Sequence, residues 1–145
     1  MTAAAGAWGS DLAMVLGPDG AWDMDPGGGS VAGVELVTQR AGRRITTVRG
    51  SCRAQPHRGL DVRSWLRSGV LTSTPARIQS ELRAELLADP AITRADVGVQ
   101  WDAATSTLTL TMRLTIGDSV QALVFRLTPS TIEILVNGLP PSWAA

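Results

Sequence analysis

Val97-Gly98-Val99-Gln100-Trp101-Asp102-Ala103-Ala104-Thr105-Ser106-Thr107-Leu108-Thr109-Leu110-Thr111-Met112-Arg113-Leu114-Thr115-Ile116-Gly117-Asp118-Ser119-Val120-Gln121-Ala122-Leu123-Val124-Phe125-Arg126-Leu127 decides the fold. Leu108, Leu110, Met112, Leu114 and Ile116 alternate strictly with polar residues, the period of a strand buried on one side. Gly117-Asp118 suits a two-residue hairpin loop, which sets Met112 opposite Leu123, Leu110 opposite Phe125 and Leu108 opposite Leu127. The loop Ala103 to Ser106 sets Trp101 opposite Leu108 and Val99 opposite Leu110. One register thus gathers the large apolar side chains of three strands onto one face. The other face carries Thr109, Thr111, Arg113 and Thr115 beside Val120, Ala122, Val124 and Arg126. That is less polar than a freely solvated face, and a partner is expected to cover it.

Beyond Thr128-Pro129-Ser130, the run Thr131-Ile132-Glu133-Ile134-Leu135-Val136 predicts one more strand, with Ile132, Ile134 and Val136 on one side. Gly138-Leu139-Pro140-Pro141-Ser142-Trp143 cannot extend a sheet, so this strand is expected at an edge. Unpaired backbone groups there would accept a strand from another chain, which makes Thr131, Ile132, Glu133, Ile134, Leu135 and Val136 candidate partner-binding residues.

Upstream, Thr74-Pro75 opens a helix, because Thr caps and Pro suits the first helical position. Ile78, Leu82 and Leu86 form its apolar line, Arg77, Glu81, Glu85 and Asp89 a second line, and Pro90 ends it. Leu60 to Arg67 predicts a short helix with Gly69 beyond it, and Val31 to Ile45 a helix with Val34, Val37, Ala41 and Ile45 on one face. Thr46 to His57 reads as an irregular surface run. Leu12 to Met24, turning at Gly17-Pro18-Asp19-Gly20, predicts a hairpin, and Asp25-Pro26-Gly27-Gly28-Gly29-Ser30 a flexible joint. The expected fold is α+β: an antiparallel sheet, made of a three-stranded meander plus a C-terminal edge strand, packed against two or three helices. The expected divisions are an N-terminal hairpin and joint over 1–30, an α+β domain over 31–128 and an edge strand and tail over 129–145.

The 145 residues suit one domain, and Leu, Val, Ile and Phe make up about a quarter of them, enough for a core. Thirteen cations, all Arg, balance thirteen acids, so bulk charge drives the chain to neither nucleic acid nor membrane. The charge is uneven, however: Arg40 to Arg67 holds eight Arg against Asp61, whereas Met1 to Gln39 holds five acids and no cation. A single cysteine, Cys52, suits a reducing compartment, and neither a secretion signal nor a membrane-spanning run is read in the chain.

Catalytic and cofactor chemistry finds little support. Cys52 and His57 are too few for a metal site, and a Ser, His, Asp triad would rest on His57 without a Gly-x-Ser-x-Gly turn. Gly27-Gly28-Gly29 lacks the Lys and helix of a phosphate loop. Glu81, Glu85 and Asp89 have the spacing of a glycosidase acid and base, but a solvated helix face with an Arg77–Glu81 pair explains them equally. Arg43, Arg44, Arg49 and Arg53 lack the interleaved aromatics of a nucleic-acid site. The expectation is a chain that is not an enzyme and takes no cofactor, nucleic acid, membrane or small-molecule substrate.

The order of elements and several short motifs resemble the phage baseplate wedge family typified by protein W, the sheath initiator or lysozyme-like baseplate family. The resemblance is carried by Gln39 in its helix, Thr46-Thr47-Val48-Arg49-Gly50, Gly59-Leu60-Asp61-Val62, Ile78-Gln79-Ser80-Glu81-Leu82, Asp89-Pro90-Ala91-Ile92, Val97-Gly98-Val99 and Trp101 to Leu110. It spans roughly 31–127 and rests on order and spacing. The family's Glu-Pro-Arg triplet is replaced by Asp89-Pro90-Ala91, so Ala91 lacks a guanidinium that could bond a wedge partner.

The resemblance implies a structural protein of a phage tail or contractile injection particle. Six copies would surround the tail axis at the virion baseplate, after folding and assembly in the host cytoplasm. Its partners would be the sheath protein, to which the edge strand is offered as template for the first ring, and baseplate wedge and tube or hub proteins. Asp89, Pro90, Ile92, Arg43, Arg44 and Arg49 would form the wedge contact. A baseplate component of a non-contractile tail and a peptidoglycan-degrading lysozyme-like enzyme are the alternatives.

Overall fold

A computed structural model describes residues 8–17, 22–47, 50–51, 53–54, 56, 59–60, 62–67 and 74–138. The turn at 18–21, Arg49, Cys52, His57, Asp61, Gly69 and the tail 139–145 lie outside the described residues.

The sheet forms as its side-chain pattern dictates. Strands β5 (Ile92–Asp102), β6 (Thr107–Ile116), β7 (Ser119–Leu127) and β8 (Ile132–Val136) make an antiparallel meander in the order β5-β6-β7-β8, numbering the elements in chain order. Met112 pairs with Leu123, Leu110 with Phe125, Leu108 with Leu127, Trp101 with Leu108 and Val99 with Leu110. This is the register that the loop lengths predict. Among the described residues β8 pairs only with β7 and is an edge strand, as expected.

β5 begins five residues earlier than the alternation predicts. The cause is an irregularity between Ile92 and Arg94, which puts Ile92 and Ala95, three apart, on the buried side. Such a bulge breaks the two-residue period by which a strand is recognised.

Three helices lie against the apolar face: α1 (Gly33–Thr46), α2 (Arg63–Arg67) and α3 (Thr74–Leu87). Val37, Ile45, Val62, Ile78, Leu82 and Leu86 from the helical layer and Leu108, Leu110, Met112, Leu114, Leu123, Phe125 and Leu127 from the sheet are wholly buried in one cluster. Where α1 approaches the sheet, a Cβ on Gly42 would stand 3.4 Å from both Ile134 and the Trp22 ring. An alanine there would just reach contact, and a longer side chain would wedge these layers apart.

Val31 and Ala32 are not helical. They belong to β4 (Ser30–Ala32), which pairs with β1 (Ser10–Leu12), and the chain swings into α1 at Gly33 with a φ of 61°. Only glycine adopts that angle cheaply. β2 (Met14–Leu16) pairs with β3 (Trp22–Met24), the expected hairpin. Backbone bonds from Ala13 N to Gly29 O and from Asp25 N to Ala13 O join both pairs into one two-stranded arm. The glycine run within it is a bonded turn, in which Gly27 N donates to Asp25 Oδ1 at 2.9 Å and Gly28 N to Asp25 O at 2.8 Å.

The arm folds back on the helices. Gln39, buried in α1, accepts from Met14 N at 3.0 Å and donates to Leu12 O at 3.1 Å, which satisfies the backbone where β1 gives way to β2. Trp22 Nε1 donates to Thr46 Oγ1 at 2.8 Å.

Candidate partner-binding edge

β8 is short because of its flanks. Thr128 N donates to Thr131 O at 2.9 Å in the turn that starts it, and Thr131 N donates to Thr128 Oγ1 at 3.0 Å. At the far end Asn137 takes a left-handed φ of 52°, donates from its N to Ala122 O and accepts from Ala122 N through Oδ1. The next residue, Gly138, also has a positive φ, and the strand stops.

These terminal bonds fix the phase of the ladder. Antiparallel pairs alternate between hydrogen-bonded and non-hydrogen-bonded. With Ala122/Asn137 and Thr128/Thr131 bonded at the ends, Val124/Leu135 and Arg126/Glu133 are the bonded pairs between them. Ile132, Ile134 and Val136 therefore turn their N–H and C=O groups outward, while their side chains face the core. The edge offers backbone bonding without giving up its buried side chains.

The opposite edge is guarded. β5 opens with its bulge and carries Arg94, Asp96 and Asp102 as exposed charges, with Arg94 Nε 3.2 Å from Asp96 Oδ2. Bulges and charges are the usual devices that keep an edge from pairing. β8 carries one charged residue, Glu133, which Arg126 Nη1 meets at 3.4 Å. On the open sheet face Val120 is 51% exposed, Ala122, Val124 and Leu135 are half-buried, and Thr111 and Arg113 are exposed.

The residues expected at the edge occupy it in two sets: Glu133 and Leu135 on the open face, and Ile132, Ile134 and Val136 toward the core, with Thr131 exposed in the preceding turn. Of the expected wedge-contact residues, those that are described do not share one surface. Asp89, 2% exposed, receives both Nε and Nη2 of Arg40 at 2.6 and 3.0 Å, and its Oδ1 also caps Ala91 N at 3.0 Å. Arg44 donates to Glu85 Oε1 at 3.2 Å, and Ile92 is buried. Pro90 is exposed, and half-buried Arg43 lies 3.6 Å from Asp11.

The acidic line of α3 is thereby explained. Arg40 and Arg44 stand four apart on α1 and meet Asp89 and Glu85, four apart at the end of α3, in antiparallel order. Glu85 Oε1 also accepts from Gly59 N at 2.9 Å. Here the backbone comes so close that a Cβ on Gly59 would fall 2.3 Å from Thr47 O. Glu81 and Glu85 border a cleft of about 400 Å³ beside Leu60, but Glu81 pairs with Arg77 and Glu85 with Arg44. Glu81, Glu85 and Asp89, the carboxylates with glycosidase spacing, are thus each tied to a guanidinium of the same chain. Among the described residues, no cluster of three His, Cys, Asp or Glu could hold a metal, and no helix is long and apolar enough to cross a membrane.

Sequence reasoning overlooked Arg40, whose four-residue step to Arg44 matches that of Glu85 to Asp89. It also overlooked Asn137, which carries no sequence signal apart from its place before Gly138.

A scan against protein-family models finds no match to this chain, and a search of curated proteins finds none.

Proposed function

We propose that this chain is a structural baseplate component of a phage tail or contractile injection particle, acting as the sheath initiator that templates the first sheath ring by strand addition. The observation that carries this reading is the edge of β8, unpaired among the described residues, where the backbone groups of Ile132, Ile134 and Val136 point outward while the opposite edge is charged and bulged. An added strand would find its bonding partners already set in extended geometry. The resemblance of residues 31–127 to the baseplate wedge family supplies the biological setting. In this reading the sheath protein pairs with β8, wedge and tube or hub proteins take other surfaces, and six copies surround the tail axis at the virion baseplate after assembly in the host cytoplasm.

The half-apolar open face around Thr111, Val124 and Leu135 suits a second contact in such an assembly. At the corner after α3, exposed Pro90 and half-exposed Arg43 are the wedge-contact candidates that still face outward; Asp89, Arg44 and Ile92 point inward. The proposed activity is assembly rather than catalysis.

The test is electron cryo-microscopy of whatever particle co-purifies with an epitope-tagged copy from the native source. Label at the baseplate end of a sheathed tail is the expected result. Label on a tail without a sheath overturns sheath templating and leaves a non-contractile baseplate role. Absence of any particle, with clearing of peptidoglycan on a zymogram that Glu81→Gln and Glu85→Gln abolish, replaces the reading with a lysozyme-like enzyme.

A further inference from the structure

We infer that β8 selects its partner by charge: the strand it accepts carries a cationic side chain opposite Glu133, an apolar one opposite Leu135, and apolar ones opposite Ile132, Ile134 and Val136. The inference rests on the strand-addition reading above and specifies the chemistry of the partner. It follows from the rows of side chains that cross the sheet, each of which an added strand would lengthen by one residue.

On the open face, register aligns Gln100, Thr109, Arg126 and Glu133 in one row and Gly98, Thr111, Val124 and Leu135 in the next. The first row ends on an anion. The Glu133 side chain is 56% exposed, with Arg126 at 3.4 Å on one flank and, among the described residues, no paired strand on the flank that faces the edge. A cation placed there would complete an alternating row of plus, minus and plus, whereas an anion would sit directly opposite a like charge. The second row ends on half-buried Leu135, next to Val124, and an apolar neighbour would cover it.

On the core face the rows are Trp101, Leu108, Leu127 and Ile132; Val99, Leu110, Phe125 and Ile134; and Val97, Met112, Leu123 and Val136. All three are apolar throughout, and Val136 remains half-buried at the rim. Side chains added there continue the core rather than meet water. The partner therefore reads, in order along β8, apolar, cation, apolar, apolar, apolar.

The experiment uses the full chain and two five-residue peptides of that pattern, one with Lys and one with Glu opposite position 133, each made in both sequence directions. Binding is read by NMR from the amide resonances of Ile132, Ile134 and Val136 during titration to millimolar peptide. The expected result is a preference for the Lys peptide of about five- to tenfold. Glu133→Lys should reverse that preference and Glu133→Gln, which leaves no charge to misfold the strand, should abolish it. Added salt should narrow it, since the pair is exposed. Equal affinity of both peptides for the unaltered chain overturns the charge selection and leaves strand addition standing. Failure of both peptides to move the three amides, while the sheet resonances remain native, overturns strand addition itself.

Discussion

Arg40 grips Asp89 through two parallel hydrogen bonds, Nε to Oδ2 at 2.6 Å and Nη2 to Oδ1 at 3.0 Å, across the gap between α1 and the end of α3. The carboxylate is all but sealed from water and simultaneously holds the backbone of Ala91 where the chain turns into β5. One side chain thus fixes both the docking of a helix and the start of the sheet's longest strand. Arg40→Met should therefore destabilise by about 3 kcal/mol, because it leaves a buried charge without its partner. In an Asp89→Asn background, which keeps an acceptor for Ala91 N, the same change should cost at least 1 kcal/mol less. Urea unfolding of the four proteins of this cycle checks both figures.

The Gln39 side chain should hold the N-terminal arm. Gln39→Leu removes an acceptor from Met14 N and a donor from Leu12 O at a part-buried place, for a cost of about 1 to 3 kcal/mol. The loss should be local, with faster exchange of the Met14 amide and faster proteolysis near Ala13, while amides of β6 and β7 keep their protection.

The two faces of the sheet should respond differently to truncation. Phe125→Ala or Leu110→Ala empties a wholly buried position and should cost about 3 to 5 kcal/mol. Thr111→Ala, exposed on the other face of the same strand as Leu110, should cost under about 0.5 kcal/mol. If a partner covers that face, the order changes in the complex: Val124→Arg should leave the melting temperature of the free chain nearly unaltered and weaken the assembly.

Hydrogen exchange along β8 should alternate. The amides of Glu133 and Leu135, which face β7, should be protected in the free chain, and those of Ile132, Ile134 and Val136 should exchange quickly although the side chains of Ile132 and Ile134 are buried and that of Val136 half-buried. Binding of a strand should protect the second set. Uniform protection of all five amides in the free chain would mean that the edge is already occupied.

The meander was legible because strand register is a short-range property. Loop lengths of two and four residues, with a two-residue side-chain period, leave one arrangement that buries Leu108, Leu110, Met112, Leu123, Phe125 and Leu127 together, and that is the pairing found. The start of β5 was not legible, since a bulge at Ile92 erases the period from which a strand is read. Val31 and Ala32 read as helix from sequence because their apolar character fits either period; pairing with Asp11 and Ser10, twenty and twenty-two residues upstream, decides for strand. The same limit applies to the site. The edge position of Thr131 to Val136 followed from the Pro-rich tail, but the roles of Asp89 and Arg44 depend on Arg40 and Glu85, partners more than forty residues away.

The brevity of β8 sets how the edge can work. Between the turn at Thr128 to Thr131 and the left-handed Asn137 there is room for five residues, three of which face outward. A single copy can hold an added segment by only a handful of backbone bonds, so each grip is weak and quickly released. In the proposed baseplate ring, permanence would come from number. With several copies held around a common axis, each strand that docked would raise the local concentration of the rest, and the whole collar would close with an avidity no single copy has. On that reading the chain would stay unattached while free and become committed once its siblings stood beside it, so copy count rather than a change within the chain would set the timing of assembly.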